Sequence, residues 1–146
     1  MVKTIEGKAA IIIIDVQHDF LPGGAVPAVE GNKIISPINR LTDAGRKVGI
    51  PIIFTQEFHR KSKVDFGREK DGAEPDHCLE GTKGVEITKE LTIAPSDYVI
   101  QKPRYDVFLG TGMEYLINGL GVKPGDTLII AGLVTNVCIH YSAASA

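Results

Sequence analysis

The chain has 146 residues, of which 43% are hydrophobic and 23% are charged, and its formal net charge at pH 7 is −2. These values are typical of one globular domain with a single core. A charge so close to neutral offers no general attraction to nucleic acid or to an anionic membrane. The apolar run at 9–14 is too short to cross a bilayer. We therefore expect a single domain, 1–146, that is cytoplasmic and binds neither nucleic acid nor membranes.

Strand and helix patterns alternate along the first third of the chain. Residues 9–14 (AAIIII) are uninterrupted by polar side chains, which is typical of a parallel strand buried on both faces. Isoleucines and a leucine at helical spacing predict a helix within 31–48. The helix is expected to begin late, with Ser36 as its N-cap, because Pro37 is tolerated only in a first turn. A second strand is predicted at 50–55.

The alternation continues after a long polar segment at 56–92. A connection of this length usually carries function or is disordered. A third strand is predicted at 96–102, a helix at 112–122 and a fourth buried strand within 124–133. Another helix begins at Asn136 or at the residue after it. Strands alternating with helices predict an α/β fold with a mostly parallel sheet, and right-handed crossovers place helices on both of its faces.

Three reactive side chains follow three of these strands. Asp15 follows the first strand, Lys102 ends the third, and Cys138 follows the fourth near the start of a helix. In open α/β sheets, ligands bind beyond the carboxyl ends of the strands. A helix N-terminus favours the thiolate form of cysteine, and its N–H groups can bind an oxyanion. The alternative for Cys138 alone is a buried and inert thiol, but the three together predict covalent catalysis in which Asp15 takes the thiol proton.

The polar segment contains a second group of interest. Glu57 and His59 form a carboxylate-x-His pair, and His77 lies in the same segment. Two histidines and a carboxylate can hold zinc or iron with open coordination positions. Alternatively, these side chains line a substrate pocket and hydrogen-bond within the loop. The sequence assigns no cofactor, and a divalent metal at Glu57, His59 and His77 stays open.

Five stretches of the chain carry a family resemblance. They are IIIIDVQHDF (11–20), TQEFHR (55–60), HCLEGT (77–82), KPRYDVF (102–108) and AGLVTNVCI (131–139). In these stretches the chain resembles the isochorismatase-like cysteine hydrolases, which include nicotinamidases, N-carbamoylsarcosine amidohydrolase, and biuret and ureidoacrylate hydrolases. The resemblance implies a Rossmann-like isochorismatase fold, a small-molecule substrate and a catalytic triad of Asp15, Lys102 and Cys138.

The resemblance also implies details of the site. A cis peptide is expected between Val134 and Thr135, where the backbone, together with that of Cys138, forms an oxyanion hole. Non-proline cis bonds are costly and mark functional sites. Further side chains are expected to contact the substrate: Phe20, His59, Arg60, Arg104 and Tyr105.

Two departures from the family pattern shape the functional hypothesis. Nicotinamidases usually carry Asp-x-His where this chain has Glu57-Phe58-His59, so a metal is not carried over from the resemblance. Isochorismatases proper lack the nucleophilic cysteine, so Cys138 favours hydrolysis of a C–N bond in a small amide, carbamoyl or ureido compound. The alternatives are a metal-assisted amidase of the nicotinamidase type and an inactive fragment that acts as a binding or scaffold module.

The length of the chain raises a last expectation. The family domain usually continues with a further strand and helix after the cysteine helix, whereas this sequence ends at Ala146. We expect a domain that is truncated at its C-terminus and lacks the last strands and helices of the fold. A sheet without these strands would expose an edge and apolar surface, which predicts a homo-oligomer.

Overall fold

The computed structural model describes residues 5, 7–67, 70 and 72–146. The rest of the predicted domain 1–146, namely residues 1–4, 6, 68, 69 and 71, lies outside the described residues. The strands and α-helices of the described residues are, in chain order, β1 (Ala9–Ile14), α1 (Ile35–Lys47), β2 (Ile52–Glu57), β3 (Tyr98–Lys102), α2 (Met113–Gly119), β4 (Thr127–Gly132) and α3 (His140–Ser145). Short 3₁₀ turns at His18–Phe20 and Gly31–Ile34 precede α1, and a π-helix at Thr135–Ile139 precedes α3.

The four strands form one parallel sheet in the order β3-β2-β1-β4. Strand β1 lies in the middle, with Ile13 opposite Phe54 of β2 on one side and Ala131 of β4 on the other. At the far end of β2, Glu57 lies opposite Lys102 of β3. The predicted α/β fold with a parallel sheet is confirmed, and all four carboxyl ends point to the same edge.

Helices cover both faces of the sheet because alternate residues of β1 point in opposite directions. Ile11 and Ile13 pack against α1 and its Ile38. Ile12 and Ile14 pack on the other side against α2 and its Met113. All four isoleucines of β1 are at most 1% exposed, and each such burial stabilises the fold by about 1.5–3 kcal/mol. The packing on both faces therefore holds β1 in place, together with the residues that directly follow it.

Helix α1 starts differently from the prediction. It runs on directly from the 3₁₀ turn, so its N-cap is Ile34, which already has helical φ and ψ of −79° and −17°. The prediction that Ser36 is the N-cap is wrong, and the Ser36 hydroxyl instead accepts a hydrogen bond from Arg40 Nη1 at 2.8 Å. Pro37 is the third residue of α1, within the first turn where its missing N–H is not needed.

Strand β4 is less buried than its sequence predicts. Each of its six residues is partly exposed, although their apolar character is typical of an interior strand. The reason is its place at the edge of the sheet, since β1 is the strand that pairs with it among the described residues. Among the same residues, no helix is both long enough and apolar enough to cross a membrane.

The long polar segment is folded back over the carboxyl edge of the sheet. Its first two residues, Gln56 and Glu57, still belong to β2, and the described residues after them hold no strand or α-helix. Backbone hydrogen bonds fasten the segment in two places. The His18 and Asp19 N–H groups donate to the carbonyls of Glu86 and Gly84, each at 3.1 Å. The His59 N–H donates to the Cys78 carbonyl at 2.9 Å. The first two bonds tie residues 84–86 to the turn after β1, and the third holds Cys78, the neighbour of His77, beside His59.

We predict that Gly132→Ala is strongly destabilising. Gly132 ends β4 with φ of +130°, and a Cβ there would overlap the carbonyl oxygen of Ile14 in the neighbouring strand. Strain of this kind is expected to lower the free energy of unfolding by about 2–4 kcal/mol, measured by urea denaturation. In Gly119→Ala, by contrast, nothing lies within 4 Å of the new Cβ at the end of α2, so stability should stay the same or rise slightly. Equal effects of the two substitutions would contradict this account.

Candidate active site

Asp15 is fully buried where the chain leaves β1. Its φ of +49° is left-handed, which turns the backbone sharply out of the sheet. Thr55 on the neighbouring β2 holds it in two ways: the Asp15 N–H donates to Thr55 Oγ1 at 3.1 Å, and the Thr55 hydroxyl donates to Asp15 Oδ1 at 2.6 Å. One carboxylate oxygen is thereby occupied, and Oδ2 faces the centre of the site.

Lys102 brings an ammonium group to that centre. It ends β3 and is fully buried. Its Nζ lies 2.6 Å from Asp15 Oδ2 and 3.5 Å from Glu57 Oε2, and it donates to the Arg104 carbonyl at 3.0 Å. Buried charges are tolerated when they are paired and hydrogen-bonded, and this ammonium has two carboxylates and a carbonyl around it.

Cys138 completes the predicted trio. Its Sγ lies 3.5 Å from Lys102 Nζ and 3.7 Å from Glu57 Oε2. The structure thus brings Asp15, Lys102 and Cys138 together, although their catalytic roles stay predictions. Cys138 is the fourth residue of the π-helix, within its first turn, and is itself buried.

The electrostatic surroundings keep Cys138 in its thiol form. Burial, reinforced by the charges of Asp15 and Glu57 and opposed by Lys102, raises the pKa of the Cys138 thiol well above its ordinary value. Burial also opposes the charge on Lys102, but Asp15 and Glu57 outweigh it and raise the pKa of the ammonium. Burial and the two carboxylates therefore oppose the resting thiolate that the helix start was expected to favour.

The two carboxylates differ in their proton affinity. Burial raises the pKa of Asp15, and the charge of Glu57 adds to this effect although Lys102 opposes it. Burial acts on Glu57 in the same direction, but hydrogen bonds with His59 and His77 and the charge of Lys102 prevail and lower the pKa of Glu57. Neighbouring carboxylates with divergent pKa values take different roles in proton transfer. Asp15 is thereby suited to accept a proton, and Glu57 to stay ionised.

A histidine pair lies on the other side of Glu57. Glu57 Oε1 is 3.4 Å from His59 Nε2 and 3.3 Å from His77 Nε2. All three side chains are buried, and one ligand atom from each lies within 4.8 Å of the others. Glu57 therefore belongs to two clusters, with one carboxylate oxygen in each, which its sequence position did not predict.

The protonation of His77 shows that this cluster fits a metal ion. His77 Nδ1 lies 2.8 Å from the Pro75 carbonyl, which can only accept, so this nitrogen carries a proton. In the neutral ring, Nε2 then directs a lone pair at the ionised Glu57 Oε1. Two acceptors in this position require a cation or a second ring proton between them. The donor set, two imidazoles and a carboxylate, suits a divalent ion such as zinc.

The predicted substrate-binding residues separate into two groups. His59 belongs to the cluster just described, and the ring of Phe20 lies edge-on to that of His77 with 5.6 Å between centroids. Arg60 has a side chain that is 61% exposed, and it contacts Glu80 and the ring of Phe58. Phe20 is thus adjacent to the site, whereas the side chain of Arg60 lies at the surface and contacts Glu80.

Arg104 and Tyr105 hold the loop after β3. The Arg104 guanidinium donates to the carbonyls of Asp65 and Pro103, and the Tyr105 hydroxyl donates to Glu74 Oε1 at 2.7 Å. These side chains tie the loop to the long polar segment. The backbone of Arg104, through its carbonyl on Lys102, has the direct contact with the site.

The cis peptide lies one residue earlier than predicted. It joins Leu133 to Val134, so the prediction of a cis bond between Val134 and Thr135 is wrong. The chain reverses directly after Gly132, where β4 ends, and Val134 is already the extended N-cap of the π-helix that begins at Thr135. The reversal is complete before the bond to Thr135, which leads into a helical turn.

Fold and site together define an α/β domain of the cysteine-hydrolase type. The isochorismatase domain model matches residues 9–146, and the chain belongs to the isochorismatase family. A protein of Arabidopsis thaliana described as a probable inactive nicotinamidase is 33% identical, with 92% of this chain and 70% of that protein covered.

Two further relatives differ in what they are described to do. The ureidoacrylate amidohydrolase RutB of Pseudomonas syringae pv. syringae is 24% identical, and the match covers 92% of this chain but 62% of that enzyme. The crystal structure of the pyrazinamidase of Pyrococcus horikoshii in complex with zinc has a TM-score of 0.84 and 32% identity. It covers 95% of this chain and 78% of the pyrazinamidase chain. The chain is thus similar to amidohydrolases and is shorter than each of them.

We predict that Lys102→Met costs about 3–5 kcal/mol of folding free energy, because it leaves two buried carboxylates without their cation. Urea denaturation measures this loss, and adding Asp15→Asn should recover part of it. Lys89→Met makes the same chemical change at an exposed position and should alter stability by less than about 0.5 kcal/mol. A Lys102→Met protein as stable as the parent would refute the ion-pair account.

Proposed function

We propose that this protein hydrolyses a C–N bond of a small amide, carbamoyl or ureido compound through a thioester-type intermediate on Cys138. The observation that carries the proposal is the position of Lys102 Nζ, 2.6 Å from Asp15 Oδ2 and 3.5 Å from Cys138 Sγ. The cation thereby contacts both the base and the nucleophile, and the ligand atoms of Asp15 and Cys138 lie within 4.8 Å of each other. The amidohydrolase relatives support the same class of reaction.

The first half-reaction forms the acyl-enzyme. The Cys138 thiol proton passes to Asp15, whose raised pKa makes it the better base of the two carboxylates. The sulfur attacks the substrate carbonyl, and a C–S bond forms as the carbonyl oxygen becomes an oxyanion. Asp15 then returns its proton to the leaving nitrogen, the C–N bond breaks, and ammonia or an amine departs. Lys102 stays protonated throughout and offsets the negative charge that moves between Asp15 and the sulfur.

The second half-reaction restores the enzyme. Asp15 accepts a proton from a water molecule, whose oxygen attacks the thioester carbonyl, and the C–S bond breaks. The acid or carbamate product leaves with the acyl group, and the proton on Asp15 returns to the Cys138 sulfur. Asp15 therefore acts as base and acid in both halves, which needs a single carboxylate within reach of Cys138.

Backbone N–H groups at the start of the π-helix are our candidates for the oxyanion hole. The N–H groups of Val137 and Ile139 donate to the Val134 carbonyl at 3.1 and 3.3 Å, so they are already used. We therefore assign the role to the N–H groups of Thr135 and Cys138, because the first N–H groups of a helix lack intrahelical acceptors. Val134, the N-cap, sets their direction.

A metal-assisted reaction of the nicotinamidase type is the second candidate. The observation that favours it is the position of His59 Nε2 and His77 Nε2, 3.4 and 3.3 Å from Glu57 Oε1, together with the zinc in the similar pyrazinamidase structure. Glu57, His59 and His77 would hold the ion, which would supply Lewis-acid polarisation to a substrate beside Cys138. This candidate uses the same nucleophile and the same base, and it differs in how the substrate is oriented.

We predict that Cys138→Ala abolishes turnover. In an assay of ammonia release across a panel of small amides and ureas, loss of the nucleophile should lower kcat by about a thousandfold or more. Cys78→Ala removes the other buried cysteine and should retain most of the activity. Unchanged turnover in the Cys138→Ala protein would exclude the thioester mechanism. If the parent protein hydrolyses nothing in the panel, the inactive scaffold becomes the better hypothesis.

The metal-assisted candidate predicts that protein purified without chelator contains about one zinc or iron ion per chain. Elemental analysis by mass spectrometry measures this ratio. His77→Ala removes one ligand and should reduce the metal content at least tenfold at equal stability, whereas His140→Ala alters an exposed histidine and should leave it unchanged. Full metal content in the His77→Ala protein would rule out this site. Full turnover after chelator treatment would remove the metal from the reaction.

A further inference from the structure

The Gln17 side chain is a fully buried amide with three short hydrogen bonds. Its Oε1 accepts from the Glu57 N–H at 2.7 Å. Its Nε2 donates to the Glu57 carbonyl and to the Val85 carbonyl, each at 2.8 Å. Because the oxygen faces a donor and the nitrogen faces two acceptors, the orientation of the amide is settled by its partners.

Gln17 takes the place of a neighbouring strand beside the last residue of β2. Strand β1 ends at Ile14, and the left-handed turn at Asp15 carries the backbone away from the sheet. Glu57 is nevertheless 2% exposed, and its N–H and carbonyl would have no backbone partner on that side. A single side-chain amide satisfies both groups, each of which would cost about 1–3 kcal/mol if buried without a partner.

The position of Glu57 matters to two clusters at once. Its Oε1 faces the rings of His59 and His77 at 3.4 and 3.3 Å, and its Oε2 lies 3.5 Å from Lys102 Nζ. The same Oε2 lies 3.7 Å from Cys138 Sγ. A displacement of the Glu57 backbone would move both oxygens together. A misplacement of about 1 Å in a catalytic site can lower the rate about a hundredfold.

We propose that Gln17 is a positioning residue that holds the main chain of Glu57 so that one carboxylate serves both the histidine pair and the Lys102–Cys138 pair. Its catalytic consequence rests on the proposed function, whereas its structural consequence can be measured without turnover. Gln17 touches neither substrate nor the reacting sulfur in this scheme, and it acts through Glu57.

Gln56 supplies a matched control for the test. Its Nε2 donates to the same Val85 carbonyl at 2.7 Å, and its Oε1 accepts from Gln101 Nε2 at 3.0 Å. Gln17→Met and Gln56→Met therefore both remove an amide from Val85. Gln17→Met also removes the two bonds to Glu57 and a 3.4 Å contact with Cys78 Sγ, which Cys78→Ala removes alone. If the only purpose of Gln17 were to fasten the long segment, the two variants would behave alike.

The first readout is the nitrogen NMR spectrum of the imidazoles in the metal-free protein. The ring signals of His59 and His77 should shift in Gln17→Met and stay in place in Gln56→Met. The second readout is turnover: Gln17→Met should lower kcat by about tenfold to a hundredfold with KM within about threefold. Gln56→Met should keep kcat within about twofold. Urea denaturation shows whether both variants are folded.

Two results would overturn the proposal: ring signals that do not move in Gln17→Met, or signals that move equally in Gln56→Met. If Gln17→Met does not fold, Gln17→Asn keeps the amide but shortens it by one methylene, and the same ring signals decide. If the parent protein hydrolyses no compound in the panel, the proposed function fails on that result alone. The ring signals then still decide whether Gln17 positions Glu57.

Discussion

The site depends on one buried cation. The Lys102 ammonium lies where three potential metal ligands converge, since oxygen or sulfur atoms of Asp15, Glu57 and Cys138 lie within 4.8 Å of one another. Burying an ammonium costs several kcal/mol unless its protons find acceptors, and here two carboxylates and the Arg104 carbonyl provide them. Each of the three charged residues lies in, or directly after, one of the strands β1, β2 and β3. The parallel sheet therefore holds the opposite charges close enough to stabilise one another.

The second carboxylate changes how the cluster works. With Asp15 alone, the ammonium and the carboxylate would neutralise each other, and the thiol would face no net charge. Glu57 adds a negative charge that its histidine partners help to retain, and this charge contributes to raising the pKa of both Asp15 and Cys138. These charges therefore favour the protonated form of the Cys138 thiol, with the Asp15 carboxylate close by.

Much of the fold and part of the site could be predicted from local sequence. The isoleucine run of β1 and the alternation of strands with helices indicate a parallel sheet, and Asp15, Lys102 and Cys138 then follow from the rule that strand ends face the ligand. The contacts of Gln17 and Thr55 with the site were not predicted, because a buried polar side chain at a strand end gives no periodic signal in the sequence. The Ser36 cap and the cis peptide were misplaced because each depends on where the backbone turns, which the spacing of side chains does not encode.

The sequence by itself determined the class of fold, the reactive groups and the edge of the sheet on which they meet, because burial patterns and the alternation of strands with helices are local properties that repeat along the chain. Only the tertiary structure decided that Glu57 joins the cluster of Lys102 and Cys138 as well as the histidine pair. It also decided that Cys138 is buried near two carboxylates, which raise the pKa of its thiol. Both outcomes depend on distances between residues far apart in sequence, since hydrogen bonds and charge interactions change steeply over one or two ångströms.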